Sequence, residues 1–258
     1  MHPANHATYI QTFYTIQKMT DDEYLNSMSK IEIYCEILLG ILRYIPVKNY
    51  QTEEDYKKIL NQNLKFENTD DHLRLRACID LTEDSQFAIS EFYKNGLITT
   101  SNGHGEMYLR LYGVLNAVYL QMQSTIELIE LFKVPYKKKI ATELKALKII
   151  DIRNKLGAHT PNYVNVIEQD KRKKESYRLG QSTISKWGNG LMIVSSHEVV
   201  EKFELVPLMN EFSIRIECYL DLISDKALKS LFPNSSEHKG WMEYRLNFVR
   251  NKKTLYNI

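Results

Sequence analysis

Between Glu106 and Phe132 the chain places Tyr108, Tyr112, Leu115, Tyr119, Met122, Ile126 and Ile129 in alternating steps of four and three residues. That spacing keeps one face of an α-helix apolar over many turns and suits packing along neighbouring helices at a shallow angle. A helix this long cannot bury its stripe alone, so the seam calls for a helical bundle. The preceding segments carry the same period. Thr20-Asp21-Asp22-Glu23 is a capping box that predicts a helix start, followed by Leu25, Met28, Ile31, Cys35, Leu38 and Leu42 as far as Pro46. Thr52-Glu53-Glu54-Asp55 predicts a short helix bearing Tyr56, Ile59 and Leu60. Another runs from Thr69-Asp70-Asp71 to Asn95-Gly96, with room for a break at Thr82 and an inner face of Leu73, Ala77, Leu81, Ala88 and Phe92.

After Pro135 a fifth helical stretch places Ile140, Leu144, Leu147 and Ile150 on one stripe, widened by Ile149, Ile152 and Leu156. It is expected to stop near Gly157, because a glycine there can cap the end and Thr160-Pro161 resists continuing it. The period then changes. Glu175 to Ser185, and Leu191-Met192-Ile193-Val194, read as strands joined through the turn residues Trp187-Gly188-Asn189-Gly190. The helical period returns from Val199 through Phe203, Val206, Phe212, Ile216, Leu220 and Ile223. Past Pro233 lies a last amphipathic piece with Trp241, Tyr244, Leu246 and Phe248. The predicted fold is mainly α. An antiparallel helical bundle spans residues 1–160, and a β-hairpin at about 175–195 with C-terminal helices, residues 161–258, packs on the same core.

Composition narrows the function classes. A formal net charge of +2 over 258 residues means that any contact with nucleic acid must come from local patches. Two such patches stand out, Lys137-Lys138-Lys139 and Lys171-Arg172-Lys173-Lys174, and either can border a groove for RNA or remain a solvated loop. Cys35, Cys78 and Cys218 lie far apart within apolar patterns, which argues against a disulfide framework and for a reducing compartment. His and Cys nowhere fall at metal-ligand spacing, so neither a metal site nor a cofactor is expected. His197-Glu198 lacks a third ligand, and His104 sits in a Gly-rich loop. No secretory leader and no membrane-spanning run is visible, which makes the cytoplasm the expected location.

The segment Asp151-Ile152-Arg153-Asn154-Lys155-Leu156-Gly157-Ala158-His159-Thr160-Pro161 carries the chemistry. Basic residues in a last helical turn are favoured by the macrodipole, so structure alone can account for the arginine. Its Arg-polar pair followed by a histidine resembles the Arg-polar-x(3–5)-His motif of the HEPN family. Leu109-Arg110-Leu111-Tyr112-Gly113-Val114-Leu115-Asn116-Ala117-Val118-Tyr119-Leu120-Gln121 looks like the long helix that precedes the motif helix in that family. The resemblance covers roughly residues 20–160. It implies a helical homodimer and a metal-independent endoribonuclease with Arg153, Asn154 and His159 in a shared cleft. A role as toxin or defence effector, with an antitoxin or other protein partner, is implied by the resemblance alone.

The chemistry is coherent on the residues themselves. RNA supplies a 2′-hydroxyl nucleophile. An imidazole such as His159 can take its proton or protonate the leaving oxygen. A permanent guanidinium such as Arg153 can stabilise charge on the phosphorane, and Asn154 can orient either group. On an unbroken helix, residues six apart differ by about 120° and about 9 Å, so Arg153 and His159 converge only if the helix changes course between them. The competing expectation is a non-catalytic dimer that binds a nucleotide, nucleic acid or protein partner and keeps the motif as structure.

Overall fold

Three helices begin where a Ser or Thr hydroxyl and an acid three residues later satisfy each other's backbone N–H groups. The computed structural model describes residues 20–98, 104–158, 163–167, 171–188 and 190–253. Thr20 and Glu23 cap α1 (Asp21–Ser27), Ser29 and Glu32 cap α2 (Lys30–Tyr44), and Thr52 and Asp55 cap α3 (Glu53–Asn63). The single helix expected from Thr20 to Pro46 is therefore two. Met28 is extended and Ser29 restarts the chain with its own capping box, a Ser-x-x-Glu signal that the apolar period conceals.

The next helix, α4 (Asp71–Asn95), runs without a break at Thr82, whose buried Oγ1 donates to the Cys78 carbonyl at 2.7 Å. It ends where Gly96 adopts φ +67°, and a Cβ there would collide with the Lys186 carbonyl. Its inner face keeps Phe92 of the predicted set and otherwise differs. Leu75, Cys78, Ile79, Ile89 and Phe92 are buried, whereas Ala77 and Ala88 are exposed and Leu73 is 53% exposed. Two apolar arcs occupy this helix, and the positions of α2 and α5 (His104–Leu131) select the one that faces inward.

Along α5 the seam is half right. Leu115, Met122 and Ile129 are buried, but Tyr112 is exposed and Tyr108, Tyr119 and Ile126 are only partly covered. The deepest line is Leu111, Val114, Val118, Gln121, Thr125 and Leu128, so the tyrosines form the edge of the buried face. Gln121 Nε2 donates to the Thr82 carbonyl and to Gln86 Oε1, both at 3.2 Å, which ties α4 to α5 in one register. The fifth stretch is also split, into α6 (Lys137–Lys145) and α7 (Lys148–Arg153), with Leu147 in a non-helical conformation between them.

Beyond the motif the chain forms more strand than expected. A two-stranded antiparallel hairpin pairs β1 (Tyr163–Ile167) with β2 (Lys171–Glu175), and a three-stranded antiparallel sheet has the order β3 (Tyr177–Leu179), β4 (Leu191–Ser195), β5 (Val200–Phe203). The predicted first strand thus stops at Leu179, where Gln181–Thr183 makes a 3₁₀ turn. Val200–Phe203, expected to begin a helix, is instead the third strand, and α8 (Leu205–Leu231) starts after it. Pro207 falls in the first turn of α8, where its missing N–H costs nothing. The last helix, α9 (Glu237–Asn251), lies on α2 and α8, and its buried Arg245 donates from Nε to Glu36 Oε2 at 3.1 Å.

The result is a mainly helical bundle with small antiparallel β elements. One hydrophobic core joins residues before the motif, such as Ile37 and Val118, to residues after it, such as Phe212 and Leu220. Among the described residues no helix is long and apolar enough to cross a membrane.

Candidate functional site

Ile149, Ile150 and Ile152 anchor α7 in the core, and this fixes where its polar residues emerge. Arg153 closes the helix, where the macrodipole favours a cation. The chain then widens into a π-helical turn, Asn154–Ala158, a local distortion common at functional sites. The Asn154 N–H donates to the carbonyls of Ile150 and Asp151, so the turn grows directly out of α7. Gly157 sits inside this turn at no positive φ, so it is not the left-handed cap that the sequence suggested. A Cβ built at Gly157 meets nothing within 4 Å among the described residues.

A surface depression of about 370 Å³ is lined by Tyr112, Leu115, Asn116, Arg153, Leu156 and Gly157. The Arg153 guanidinium lies 3.7 Å above the Tyr119 ring, and its Nη1 donates to Asn154 Oδ1 at 3.1 Å. Arg153 has five N–H donors, and among the described residues it forms no ion pair. Tyr108 stacks on Tyr112 with centroids 6.0 Å apart and planes at 24°. Burial, and then Tyr108 beside it, push the Tyr112 phenol above its ordinary pKa. Asn116 is exposed one turn further along α5.

The other cations of the segment are held differently. Lys155, 7% exposed, pairs with Asp151 Oδ2 at 3.1 Å and Glu201 Oε1 at 2.7 Å, and stands 4.8 Å over the Tyr177 ring. Lys148 reaches Glu201 Oε2 at 2.6 Å and Asp151 Oδ2 at 3.0 Å. Partial burial opposes ionisation of Glu201, but hydrogen bonds from Lys148 and Lys155 outweigh it and hold the carboxyl below its usual value. For Lys148, too, burial is outweighed by its bonds to Glu201 and Asp151, and its pKa is raised. Strand β5 is thereby clamped to the start of α7 and to the π-helical turn that follows it. Sequence reading missed Glu201 because nothing local marks it.

Arg153 and Asn154 are brought together; His159 lies outside the described residues, as do Thr160 and Pro161. Lys137, Lys138 and Lys139 are exposed at the start of α6, with Lys137 paired to Glu130 and Lys139 to Glu143. Glu130 lies eleven residues beyond Tyr119 on α5, which places that run about 16 Å along the helix from the arginine. Lys171, Arg172, Lys173 and Lys174 form β2, whose backbone leads through Glu175 to Tyr177, the ring under Lys155. At about 3.3 Å per residue, the backbone of Lys174 is at most about 10 Å from that of Tyr177. Elsewhere, His197 Nε2 stands 3.8 Å from Glu175 Oε1, and among the described residues no group of three or more His, Cys, Asp or Glu could hold a metal ion.

No family model, no curated protein and no solved structure matches this chain. The functional reading therefore rests on the geometry of the site and on the motif.

Proposed function

We propose that the chain is a metal-independent endoribonuclease of HEPN type, acting from a dimeric cleft in the cytoplasm as a toxin or defence effector. The observation that carries this reading is Arg153. Its guanidinium lines an open depression and meets no carboxylate among the described residues, beside two lysines that are both ion-paired. An arginine stacked on an aromatic ring with donors to spare is suited to a phosphate, which it can grip through paired hydrogen bonds. Six residues later in the chain comes His159, the group for proton transfer.

The mechanism follows from those roles. The 2′-hydroxyl of the RNA attacks the adjacent phosphorus as an imidazole removes its proton. Charge gathers on the non-bridging oxygens, where Arg153 stabilises it. The 5′-oxygen leaves with a proton from the second imidazole, giving a 2′,3′-cyclic phosphate and a 5′-hydroxyl end. A two-fold dimer supplies that second imidazole. Lys171–Lys174 extend the cleft with phosphate contacts, and Lys137–Lys139 meet the strand further away. An antitoxin or other protein partner would act by covering the cleft.

Incubating the protein with a labelled RNA in EDTA tests the reading. Wild type is expected to release cyclic-phosphate ends, and His159→Ala to lose at least about 100-fold in rate with an unchanged melting curve. Full activity in the alanine variant, or cleavage only with added divalent metal, overturns it. The second reading, binding without cleavage, is favoured by the aromatic and amide lining around Arg153. It predicts RNA affinity with no product in either protein.

A further inference from the structure

Tyr112 is an exposed aromatic ring held in place by its neighbour. Tyr108 stacks beside it one turn earlier on α5, and Tyr112 is itself 41% exposed where it lines the depression shared with Arg153. One turn later Asn116 lines the same depression, with an amide that makes no hydrogen bond among the described residues. An amide donates and accepts at once, the pattern that a base edge presents in reverse. The floor is Leu115 and Leu156, both buried, and Gly157 leaves the entrance unobstructed. An ordinary solvated helix face would carry charged residues at these positions. This one carries an aromatic platform, an amide and, across the depression, a guanidinium with no ion pair among the described residues.

We propose that this depression is a single-nucleotide subsite in which an unpaired base stacks on Tyr112, its edge is read by Asn116, and its phosphate is held by Arg153. The assignment rests on the reading of Arg153 as a phosphate ligand and adds the class of RNA the site takes. A base inside a duplex has both faces covered by its neighbours, so Tyr112 selects single-stranded segments, loops and ends. Stacking tolerates every base, and Asn116 supplies such preference as the site has. The same chemistry would also recognise a free nucleotide.

Fluorescence anisotropy with a 2′-O-methyl oligonucleotide, which lacks the free hydroxyl nucleophile, measures binding apart from cleavage. AMP and a duplex of the same oligonucleotide serve as the other two probes. Tyr112→Ala is expected to weaken single-strand binding about tenfold, the typical loss for one stacked base. Tyr112→Phe should restore it, and duplex binding should stay at its wild-type level in both variants. Asn116→Ala is expected to level the differences among homopolymers. If Tyr112→Ala binds the single strand as wild type does while Arg153→Ala does not, the stacking subsite is wrong and the phosphate reading stands. If AMP binds in a Tyr112-dependent way and no RNA is cut, the subsite stands as a nucleotide site and the nuclease reading falls. Wild-type protein that binds none of the three probes at low salt overturns both.

Discussion

Two sides of one short segment treat positive charge in opposite ways. On one side Lys148 and Lys155 share Asp151 and Glu201, and Lys155 is almost wholly buried among them. On the other side Arg153 faces an open depression with an aromatic ring and an amide oxygen as its neighbours. The lysine side fastens the motif to β5, and taking a lysine into the interior is tolerable only because each charge meets a carboxylate. On the arginine side no carboxylate among the described residues meets the charge, and water carries the solvation cost until an anion replaces it. A cation with a carboxylate partner is structure; a cation without one, in a concave site, is available to a ligand.

Breaking that contrast first on the arginine side should give the largest change in function. Arg153→Ala is expected to reduce RNA cleavage by at least about 100-fold, while removing the guanidinium from the Tyr119 ring costs only about 0.5–1 kcal/mol. A variant that keeps its activity but melts far below wild type would reverse the roles assigned to the two sides.

On the lysine side the effect should be in stability. Glu201→Gln leaves Lys155 buried with Asp151 alone and should cost about 2 kcal/mol, reduced from a fully buried pair because Glu201 is itself partly exposed. In a chain of this size that lowers Tm by about 4–8 °C. The pH dependence carries a definite sign. The Glu201 carboxyl is held below its ordinary value, so its contribution is complete above the unfolded carboxylate pKa of about 4.3 and fades as the pH falls through the lower folded value. The Tm gap between wild type and Glu201→Gln should therefore be constant near neutral pH and close below about pH 4. A gap that stays open in acid would mean that packing, and not the ion pair, is what the variant loses.

The smallest expected effect is electrostatic and distributed. Replacing Lys171, Arg172, Lys173 and Lys174 with Ala should flatten the salt dependence of RNA binding by about 0.7 in log–log slope for each phosphate that the protein no longer neutralises. The same change at Lys137 and Lys139, whose charges already meet Glu130 and Glu143, should move the slope less. Equal slopes for the two runs would show that ion pairing at the surface does not decide which cations bind RNA.

Residues whose fate is set within a turn or two of themselves were legible in the sequence. Thr20, Thr52 and Gly96 mark helix ends where predicted, and Arg153 and Asn154 emerge together at the end of a helix anchored by Ile149 and Ile152. Ser29 was equally local, but its capping box lies inside an uninterrupted apolar stripe and the stripe masked it. The extra strands are a different kind of miss. Val199 to Phe203 carries apolar residues compatible with either period, and its pairing with Leu191–Val194 decides in favour of strand.

The amino-acid order by itself thus determined the helical class, most of the helix starts and the grouping of Arg153 with Asn154, because caps, periods and turns depend on neighbours in the chain. Only the tertiary structure decided which arc of α4 faces the core, why Tyr112 stays at the surface when Leu115 does not, and which cation meets no carboxylate among the described residues. Those outcomes depend on partners such as Glu201, far away in sequence and within hydrogen-bond reach in space. A periodic pattern records how apolar a face is. It does not record what the fold will place against it.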